Sequence, residues 1–406
     1  MKIHLTKPNF SEITFGIITA IFFSSFLYLE YFGVTIKIFN TITGLIALAL
    51  FLFIPKKSVL IAGFFIGLLW FYWIGYSFKY YDIGYMTPII TMFFCIFYML
   101  FFGIIAISNK VYIRTILLFL ISFIEPLDWN WMQIELLFVD SYMGILKYQL
   151  AIILFSFTLI YYLKQTYRFL PLFLLFFALD GNHPLKKEPK LKIKLLQTHI
   201  KQDEKWLSKN LAPTVEMAFS EIQKATKDTY DIIVLPESVF PLYMNKSPKL
   251  INQLLTYSQN ITIVAGSLLT ENGIHYNVTY MFQDGKYEVA KKLVLVPFGE
   301  YIPLPKFARK FINETFFGGV SDFHTAKKPS DFIIDGVKFR NAICYEATCS
   351  EIYDGEVDFV IATSNNAWFS PSIEPTLQKL LMRYYARKNN VTIYHSANWS
   401  GTGIIR

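Results

Sequence analysis

Apolar positions are distributed along this chain in two different ways. From residue 10 to residue 179 they run almost without interruption, whereas from residue 180 onward they fall into short bursts separated by polar turns. Seven apolar segments of near-spanning length can be drawn in the first part: 11–32, 38–55, 59–78, 85–108, 111–127, 147–163 and 167–180. A bilayer core about 30 Å thick asks for about 20 helical residues, so residues 1–180 read as a transmembrane helical bundle of about seven spans. The stretch 128–147 is too polar to span and is expected as a loop or re-entrant piece packed on the bundle.

The second part has shorter periods. A basic, proline-containing linker (181–191) precedes strand alternation over 192–200 and helical periodicity over 211–226. A short buried strand (231–237), a helix (249–259) and a strand (261–269) follow. Two more strand-like runs, 274–282 and 287–296, are joined by the turn Gln283-Asp-Gly-Lys286. A Gly- and Pro-rich excursion (297–330) leads to a hairpin of 331–334 and 337–345 about Asp335-Gly336. A strand (358–363), a helix (373–389) and a strand (391–396) complete the pattern. Strands alternating with helices, with hairpins inserted, predict an α/β layered domain with a mixed sheet over residues 192–406.

Composition sharpens this division. Hydrophobic residues make up 54% of 406 and charged residues 17%, too apolar for one soluble domain. The net charge of +8 suits anionic lipid headgroups and cytoplasmic loops better than nucleic acid, so a membrane and no nucleic-acid partner is expected. Basic residues fall on alternate loops: Lys2 and Lys7, Lys56 and Lys57, Lys110 and Arg114, Lys164 and Arg168. The positive-inside rule then makes the amino terminus cytoplasmic, and an odd number of spans puts residue 181 onward on the far side. Three cysteines, with Cys95 inside an apolar segment, make no disulfide framework, and no cofactor or metal is expected. The first apolar segment lacks the small-residue cleavage site of a removable signal peptide. Trp70, Tyr72, Trp73, Tyr76, Tyr80 and Tyr81 cluster near the end of the third segment, and Trp129 and Trp131 follow the fifth. They are expected as an interfacial aromatic belt or, alternatively, as the wall of an opening toward the bilayer.

Three residues stand at strand ends or loops, where a layered sheet carries its chemistry. Glu237 ends a strand in Leu-Pro-Glu-Ser, Lys292 lies in Lys291-Lys-Leu-Val-Leu-Val-Pro-Phe-Gly-Glu300, and Cys344 lies in Ile343-Cys-Tyr-Glu346. Taken singly these are a helix cap, a surface lysine and a small buried hydrophobe. Taken together they supply a base, a cation for a developing oxyanion and a nucleophile, which acyl transfer through a thioester requires.

The order Glu, Lys, Cys in this setting resembles the nitrilase superfamily. Leu-Val-Pro-Phe-Gly-Glu-Tyr-Ile-Pro303, Ile-Cys-Tyr-Glu346 and Ser-Asn-Asn-Ala-Trp-Phe369 are similar, more specifically, to the apolipoprotein N-acyltransferase family. That resemblance implies a multi-span α-helical membrane bundle carrying a nitrilase-like α-β-β-α sandwich on the periplasmic side of the bacterial inner membrane. It implies that Glu237 takes the thiol proton and that Cys344 attacks the acyl ester of a phospholipid. Lys292, with the backbone N–H beyond Cys344, stabilises the oxyanion. The acyl group then passes to the α-amino group of a diacylglyceryl-cysteine on an apolipoprotein, in a ping-pong cycle that uses Glu237 again.

The family spacing, eight residues before the glutamate of Pro-Phe-Gly-Glu, selects Lys292 over Lys291. Neighbours in a strand face opposite sides, so only one of the two can reach the site. Glu300, Tyr345 and Glu346 match further family positions, the two acids either as structural ion pairs or with a direct part in catalysis. Asn277, Asn365 and Asn398 are implied as polar scaffolding near the nucleophile. Trp206 matches a loop tryptophan associated with substrate, or is an ordinary core or surface residue. Phe298, Tyr301, Ile302, Pro303, Leu304, Phe307, Phe311, Phe316 and Phe317 fill the excursion between Lys292 and Cys344 and suggest a lid that dips into lipid. A Cys344–Cys349 bond would block catalysis and is not expected.

The family pattern departs at two points. It is commonly acidic where this chain has Asn366, and it continues past Arg406 with closing strands and a last transmembrane helix, which implies a C-terminally incomplete domain. Two other readings stay open at this level: a membrane-anchored nitrilase-like amidase that releases the acyl group to water, and an inactive lipid- or lipoprotein-binding membrane protein.

Overall fold

A computed structural model describes residues 8–181, 188–297, 300 and 323–406. Lys2 and Lys7, residues 182–187 of the linker, and the whole series from Phe298 and Tyr301 to Phe317 of the apolar excursion lie outside the described residues. The chain divides into two compact units. One comprises Met1–Lys79, Gly84–Pro126 and Met132–His183; the other comprises Tyr80–Ile83, Leu127–Trp131 and Pro184–Arg406.

The first unit is helical: α1 (Phe10–Tyr31), α2 (Lys37–Phe53), α3 (Lys56–Phe71), α4 (Thr87–Gly103), α5 (Val111–Ile121) and α6 (Lys147–Tyr162). Asn9 starts α1 with a capping box, its side chain accepting from the Glu12 N–H at 2.8 Å while Glu12 accepts from the Asn9 N–H at 2.9 Å. Gly63 and Gly67, four apart on α3, let it close on α4: a Cβ at either would stand 2.5 Å from the carbonyl oxygens of Tyr98 and Phe94. Large apolar side chains face outward, among them Leu100, Phe173, Phe176 and Phe177, while Thr19, Ser24 and Asn40 are buried. Such an inside-out distribution suits a lipid solvent.

Among the described residues, two helices are long and apolar enough to cross a membrane, Phe10–Tyr31 and Gly84–Ile107. Lys56–Phe71 with Ile74–Tyr81 makes a third if that pair, bent by 49°, is one span. The remaining α-helices are shorter, and the segment expected at 167–180 is a nine-residue 3-10 helix, Leu170–Ala178. At about 2 Å per residue it covers about 18 Å, short of the bilayer core. Two expectations for single residues change. Trp70 and Trp73 are buried inside this unit rather than interfacial, Trp70 donating to Ser24 at 3.0 Å. Arg114 lies within α5, buried, and donates to the carbonyls of Leu52 and Ile54 at the end of α2, so it caps a helix instead of marking a loop.

The second unit holds two five-stranded mixed sheets. The first runs β1 (Ile193–Leu195), β2 (Ile232–Val234), β3 (Thr262–Glu271), β4 (Ile274–Gln283) and β5 (Lys286–Lys291), in that order. The second is ordered β10 (Gly403–Ile405), β9 (Thr392–Asn398), β8 (Phe359–Asn365), β7 (Val337–Ile343) and β6 (Asp331–Ile334). Strand alternation divides β2 between two cores. Ile232 and Val234 join Val264 and Met281 against Phe339, Ile361 and Tyr394 of the second sheet. Ile233 and Leu235 face the opposite way, toward the helices that follow the short α7 (Gln202–Lys205): they lie among Ala218 and Ile222 of α8 (Ser208–Lys227) and Leu250 and Leu254 of α9 (Pro248–Tyr257). A helix Glu374–Asn389, here α10, packs on the second sheet's side, giving α-β-β-α layers.

Several boundaries differ from the periodicity for identifiable reasons. β1 is shorter than 192–200 because Thr198 and Ile200 turn to hydrogen-bond Asn398. β5 stops at Lys291 rather than 296 because the N–H groups of Leu293 and Val294 donate to Glu346 instead of to a strand. The stretch 128–147 is shared between units: Leu127–Trp131 belongs to the α/β unit, and Met132 onward is buried in the helical one.

Candidate active site

Glu237 and Cys344 each sit at a backbone turn that ordinary residues rarely adopt. Cys344 follows β7 with φ of +56°, and Ser238, next after Glu237, has φ of +47°. Left-handed conformations of this kind cost free energy and persist where surrounding contacts enforce them. Gly266 on β3 makes room for the turn at Ser238: a Cβ there would meet the Ser238 nitrogen at 2.4 Å and the Glu237 Cα at 2.6 Å.

Around Glu237 the first sheet assembles a compact ionic cluster. Asn277 on β4 donates to Glu237 Oε1 at 2.7 Å. Lys292, fully buried just past β5, is 4.0 Å from the same oxygen and 2.7 Å from Glu300 Oε2. Glu300 also accepts from the Val296 N–H at 2.9 Å. Burial works against the Lys292 ammonium, but the charges of Glu300, Glu237 and the thiol outweigh it and hold its pKa above the ordinary value. Lys291 points the other way, pairing with Glu271 at 2.6 Å and lying over Tyr276.

On the second sheet, Glu346 holds the turn that carries Cys344. Its Oε1 accepts from the Ile343 N–H at 2.6 Å, and its Oε2 accepts from the N–H groups of Leu293 at 2.7 Å and Val294 at 3.1 Å. One carboxylate thus ties the Cys344 turn to the backbone that follows Lys292. Burial raises its pKa to about 7 despite Lys292 and the three N–H groups. The Cys344 thiol is pushed well above its ordinary value, first by burial and then by the negative charge of Glu237, with Lys292 opposing. It therefore rests protonated and needs a base.

Tyr345 is buried in an aromatic stack with Trp129 (ring centres 5.3 Å) and Trp131 (6.1 Å). Trp131 donates to the Thr348 hydroxyl at 2.8 Å, and the Asn130 amide donates to the Thr348 carbonyl. These tryptophans form neither a belt nor an opening; they pack on Tyr345, the residue after Cys344. Tyr80 likewise donates to the Ala367 carbonyl at 3.3 Å and packs edge-on against Trp368.

The asparagines at the ends of β8 and β9 support a further cation. Asn398 accepts from the Thr198 hydroxyl (2.8 Å) and the Ile200 N–H (2.9 Å), and the Asn365 amide lies 2.8 Å from both Asn398 and Gln202. This fixes the short helix Gln202–Lys205, whose Lys205 is buried and donates to the Glu237 carbonyl at 2.9 Å. Burial lowers the Lys205 pKa to about 8. Trp206, next in sequence, is 47% exposed and stays at the surface.

Lys205, Gln378 and Glu374 were not legible as site residues. Gln378 Nε2 lies 3.8 Å from Cys344 Sγ, and its Oε1 accepts from Asn366 at 3.2 Å. Asn366 therefore turns the amide nitrogen toward sulfur, whereas an ionised acid there would accept from that nitrogen and turn the amide oxygen inward. The available signal was spacing: Glu374 and Gln378 are four apart on the α10 face that buries Leu377 and Leu381. All three cysteines are free, Cys349 lying 3.5 Å from the Tyr345 carbonyl. Among the described residues no His, Cys, Asp and Glu cluster suits a metal.

Comparison with known proteins gives a consistent family. Residues 10–181 match the model of the apolipoprotein N-acyltransferase integral membrane domain. The apolipoprotein N-acyltransferase of Wolinella succinogenes is 42% identical over 95% of this chain and 94% of its own length. The proteins of that name from Helicobacter hepaticus and Helicobacter pylori are 37% and 36% identical, each over 90% of this chain and over 93% and 88% of themselves. Extensions beyond the matched stretch are therefore a small part of these relatives. Among solved structures, a CN-hydrolase superfamily protein from Xanthomonas campestris aligns at 14% identity and a TM-score of 0.39, over 52% of this chain and 76% of that one.

Proposed function

The chain belongs to the apolipoprotein N-acyltransferase family, and we propose that it moves an acyl chain from a phospholipid, through a thioester on Cys344, to the α-amino group of a diacylglyceryl-cysteine on an apolipoprotein. It is an integral membrane protein and an acyltransferase of lipoprotein biosynthesis. The observation that carries this reading is one carboxylate, Glu346, which ties the turn bearing Cys344 to the backbone following Lys292, whose ammonium is 4.0 Å from Glu237.

In the first half-reaction Glu237 takes the thiol proton as sulfur attacks the ester carbonyl. Lys292 and the Tyr345 N–H stabilise the oxyanion, and Glu237 returns the proton to the departing lysophospholipid oxygen. In the second, an amine attacks the thioester and sulfur leaves as the thiol. Asn277 and Glu300 orient Glu237 and Lys292, and Glu346 sets the distance between them and Cys344. Tyr345, Asn365 and Asn398 support the nucleophile's surroundings, and Trp206 is assigned to substrate contact. We assign residues 1–180 to the membrane bundle, 181–191 to a linker and 192–406 to a catalytic domain on the periplasmic side of the bacterial inner membrane. The alternation of Lys56 and Lys57, Lys110, and Lys164 and Arg168 with less basic loops supports that orientation.

The test is to incubate the purified full chain with acyl-labelled phospholipid, then add a diacylated lipopeptide bearing a free α-amine. The expected result is a labelled enzyme followed by triacylated peptide, with Cys344→Ala unlabelled and Glu237→Gln and Lys292→Met labelled at least a thousandfold more slowly. Release of the acyl group to water alone, or label that persists in Cys344→Ala, would overturn the proposal.

A further inference from the structure

Four buried or half-buried carboxyl groups surround the thiol and its partners, and three are occupied. Glu237 is engaged by Asn277 and by the proton traffic of the sulfur. Glu300 is held by Lys292 and the Val296 N–H, and Glu346 by three backbone N–H groups. Glu374, in the first turn of α10, is different. It is 2% exposed, and its Oε2 has no hydrogen-bond partner among the described residues. Four residues on, along the same buried helix face, Gln378 reaches to 3.8 Å from Cys344 Sγ. The charge of Glu374 is felt at that thiol, and the charge of Glu237 is felt at Glu374.

A buried carboxyl with one oxygen unpartnered is costly to ionise, and a cation with N–H donors relieves that cost. The reading proposed above needs such a cation at this place. The acceptor's α-amino group, with an ordinary pKa of about 7.7–8.0, arrives largely as an ammonium and has no lone pair until it loses a proton. Glu237 cannot serve both protons of the amine, because it must pass one to the leaving sulfur.

We propose that Glu374 receives the α-ammonium group of the acceptor and takes its first proton, producing the amine that attacks the acyl-Cys344 thioester. The ammonium gives one proton to the Glu374 carboxylate. Nitrogen forms its bond to the thioester carbon, Glu237 takes the second proton, and the C–S bond breaks as Glu237 protonates the sulfur. Glu374 then releases its proton to solvent, so ammonium plus thioester yield amide, thiol and one proton. Burial and the neighbouring charge of Glu237 hold the Glu374 pKa well above the ordinary carboxyl value, which makes its carboxylate a stronger base for this step.

This inference rests on the acyltransfer reading, and single-turnover kinetics separates the two. Acyl-enzyme is formed from labelled phospholipid, and a diacylated lipopeptide with a free α-amine is then added, for wild type and Glu374→Gln. The amide is close in shape and still donates hydrogen bonds, but it cannot take a proton. The expected result is acyl-enzyme formation within about twofold of wild type and transfer slowed at least tenfold at pH 7. The transfer deficit should shrink as pH rises past 8, where the amine arrives neutral. Titrating groups that face Glu374 are Glu237 from the first sheet and Cys344 from the turn; losing the Glu374 charge also eases ionisation of the thiol, and that effect is read separately in acyl-enzyme formation. Transfer at the wild-type rate, a deficit that persists at high pH, or equal slowing of both half-reactions would each overturn the assignment. A wild-type enzyme that forms no acyl-enzyme, or loses its acyl group only to water, counts instead against the acyltransfer reading.

Discussion

The two sheets of the α/β unit hold their reactive residues by different means. The first sheet delivers Glu237 and Lys292 through side-chain chemistry: an amide on the carboxylate, a second carboxylate on the ammonium, and a buried lysine on the Glu237 carbonyl. The second sheet delivers Cys344 through backbone geometry, a left-handed turn held by a carboxylate that accepts three N–H groups. The division follows from what each group must do. In the proposed mechanism a base and a cation need tuned proton affinities, which neighbouring charges set, whereas a thiol that rests protonated needs chiefly to be aimed. Glu346 is where the two strategies meet, since two of its three donors follow Lys292 and the third precedes Cys344.

Removing that junction should have the largest effect. Glu346→Ala leaves the buried N–H of Ile343 and the half-buried N–H groups of Leu293 and Val294 without their acceptor, at about 1–3 kcal/mol apiece. Against this it relieves a carboxylate whose pKa burial has raised to about 7, worth on the order of 3 kcal/mol. The net expectation at pH 8 is a loss of about 3 kcal/mol in unfolding free energy, with acyl-enzyme formation slowed at least a hundredfold as the Cys344 turn and the Lys292 backbone separate. Urea unfolding in detergent and the rate of phospholipid labelling read the two effects. Unchanged stability would mean that the sheets are registered elsewhere.

Gly266→Ala tests the first sheet alone. The added Cβ would be 2.4 Å from the Ser238 nitrogen, and backbone rather than a flexible side chain must yield. Overpacking of this kind costs about 1–3 kcal/mol. Labelling should slow at least tenfold because Glu237 moves, while the hydrogen bonds that fix the Cys344 turn remain.

Much of this arrangement was readable from the chain, but by unequal routes. Short apolar runs located β2, β3 and β7, since their side chains are buried in the two cores. Glu237, Lys292 and Cys344 were found because family motifs surround them, and the same motifs flagged Glu300 and Glu346. Lys205 escaped because a lysine in a polar turn reads as surface, and only the fold brings the Glu237 carbonyl to its ammonium. Trp129 and Trp131 were misread because tryptophans after an apolar segment suggest a membrane interface. Their stacking on Tyr345, more than 200 positions away, leaves no local signature. The seven apolar segments were likewise legible as apolarity, but hydropathy carries no information on whether a segment such as Leu170–Ala178 winds as α or 3-10 helix.

Lys205 offers a smaller and two-sided test of the first sheet. Its pKa of about 8 lies below the ordinary 10.5, so the folded chain gives up the proton more readily than the unfolded one. That stabilising contribution is complete above pH 10.5 and is lost as pH falls through about 8, which leaves a buried charge at pH 7. Lys205→Met removes the charge and forfeits the hydrogen bond to Glu237. Stability at pH 7 should rise by about 1 kcal/mol while labelling slows about tenfold, a trade of function against stability. A variant that gains stability and keeps its labelling rate would reduce Lys205 to a packing residue.

The smallest effect belongs to the second sheet and to pH. His395 on β9 is fully buried, with Nδ1 2.8 Å from the Gly401 carbonyl and Nε2 2.8 Å from the Ser364 hydroxyl. A carbonyl only accepts, so Nδ1 carries the proton and Nε2 accepts from Ser364; the neutral ring satisfies both neighbours. Burial lowers its pKa to about 4 from the ordinary 6.5. In that window the unfolded chain binds the proton and the folded chain does not, so the stabilising contribution is complete above pH 6.5 and is lost as pH falls toward 4. Between pH 7 and pH 5.5 the loss should be about 1 kcal/mol. His395→Asn keeps a donor for Gly401 and has no proton to gain, so its unfolding free energy should be flatter by that amount over the same range. If the slope of the wild type survives in the variant, the acid sensitivity of this sheet lies in another group, and the aimed thiol is less dependent on β9 than its neighbours suggest.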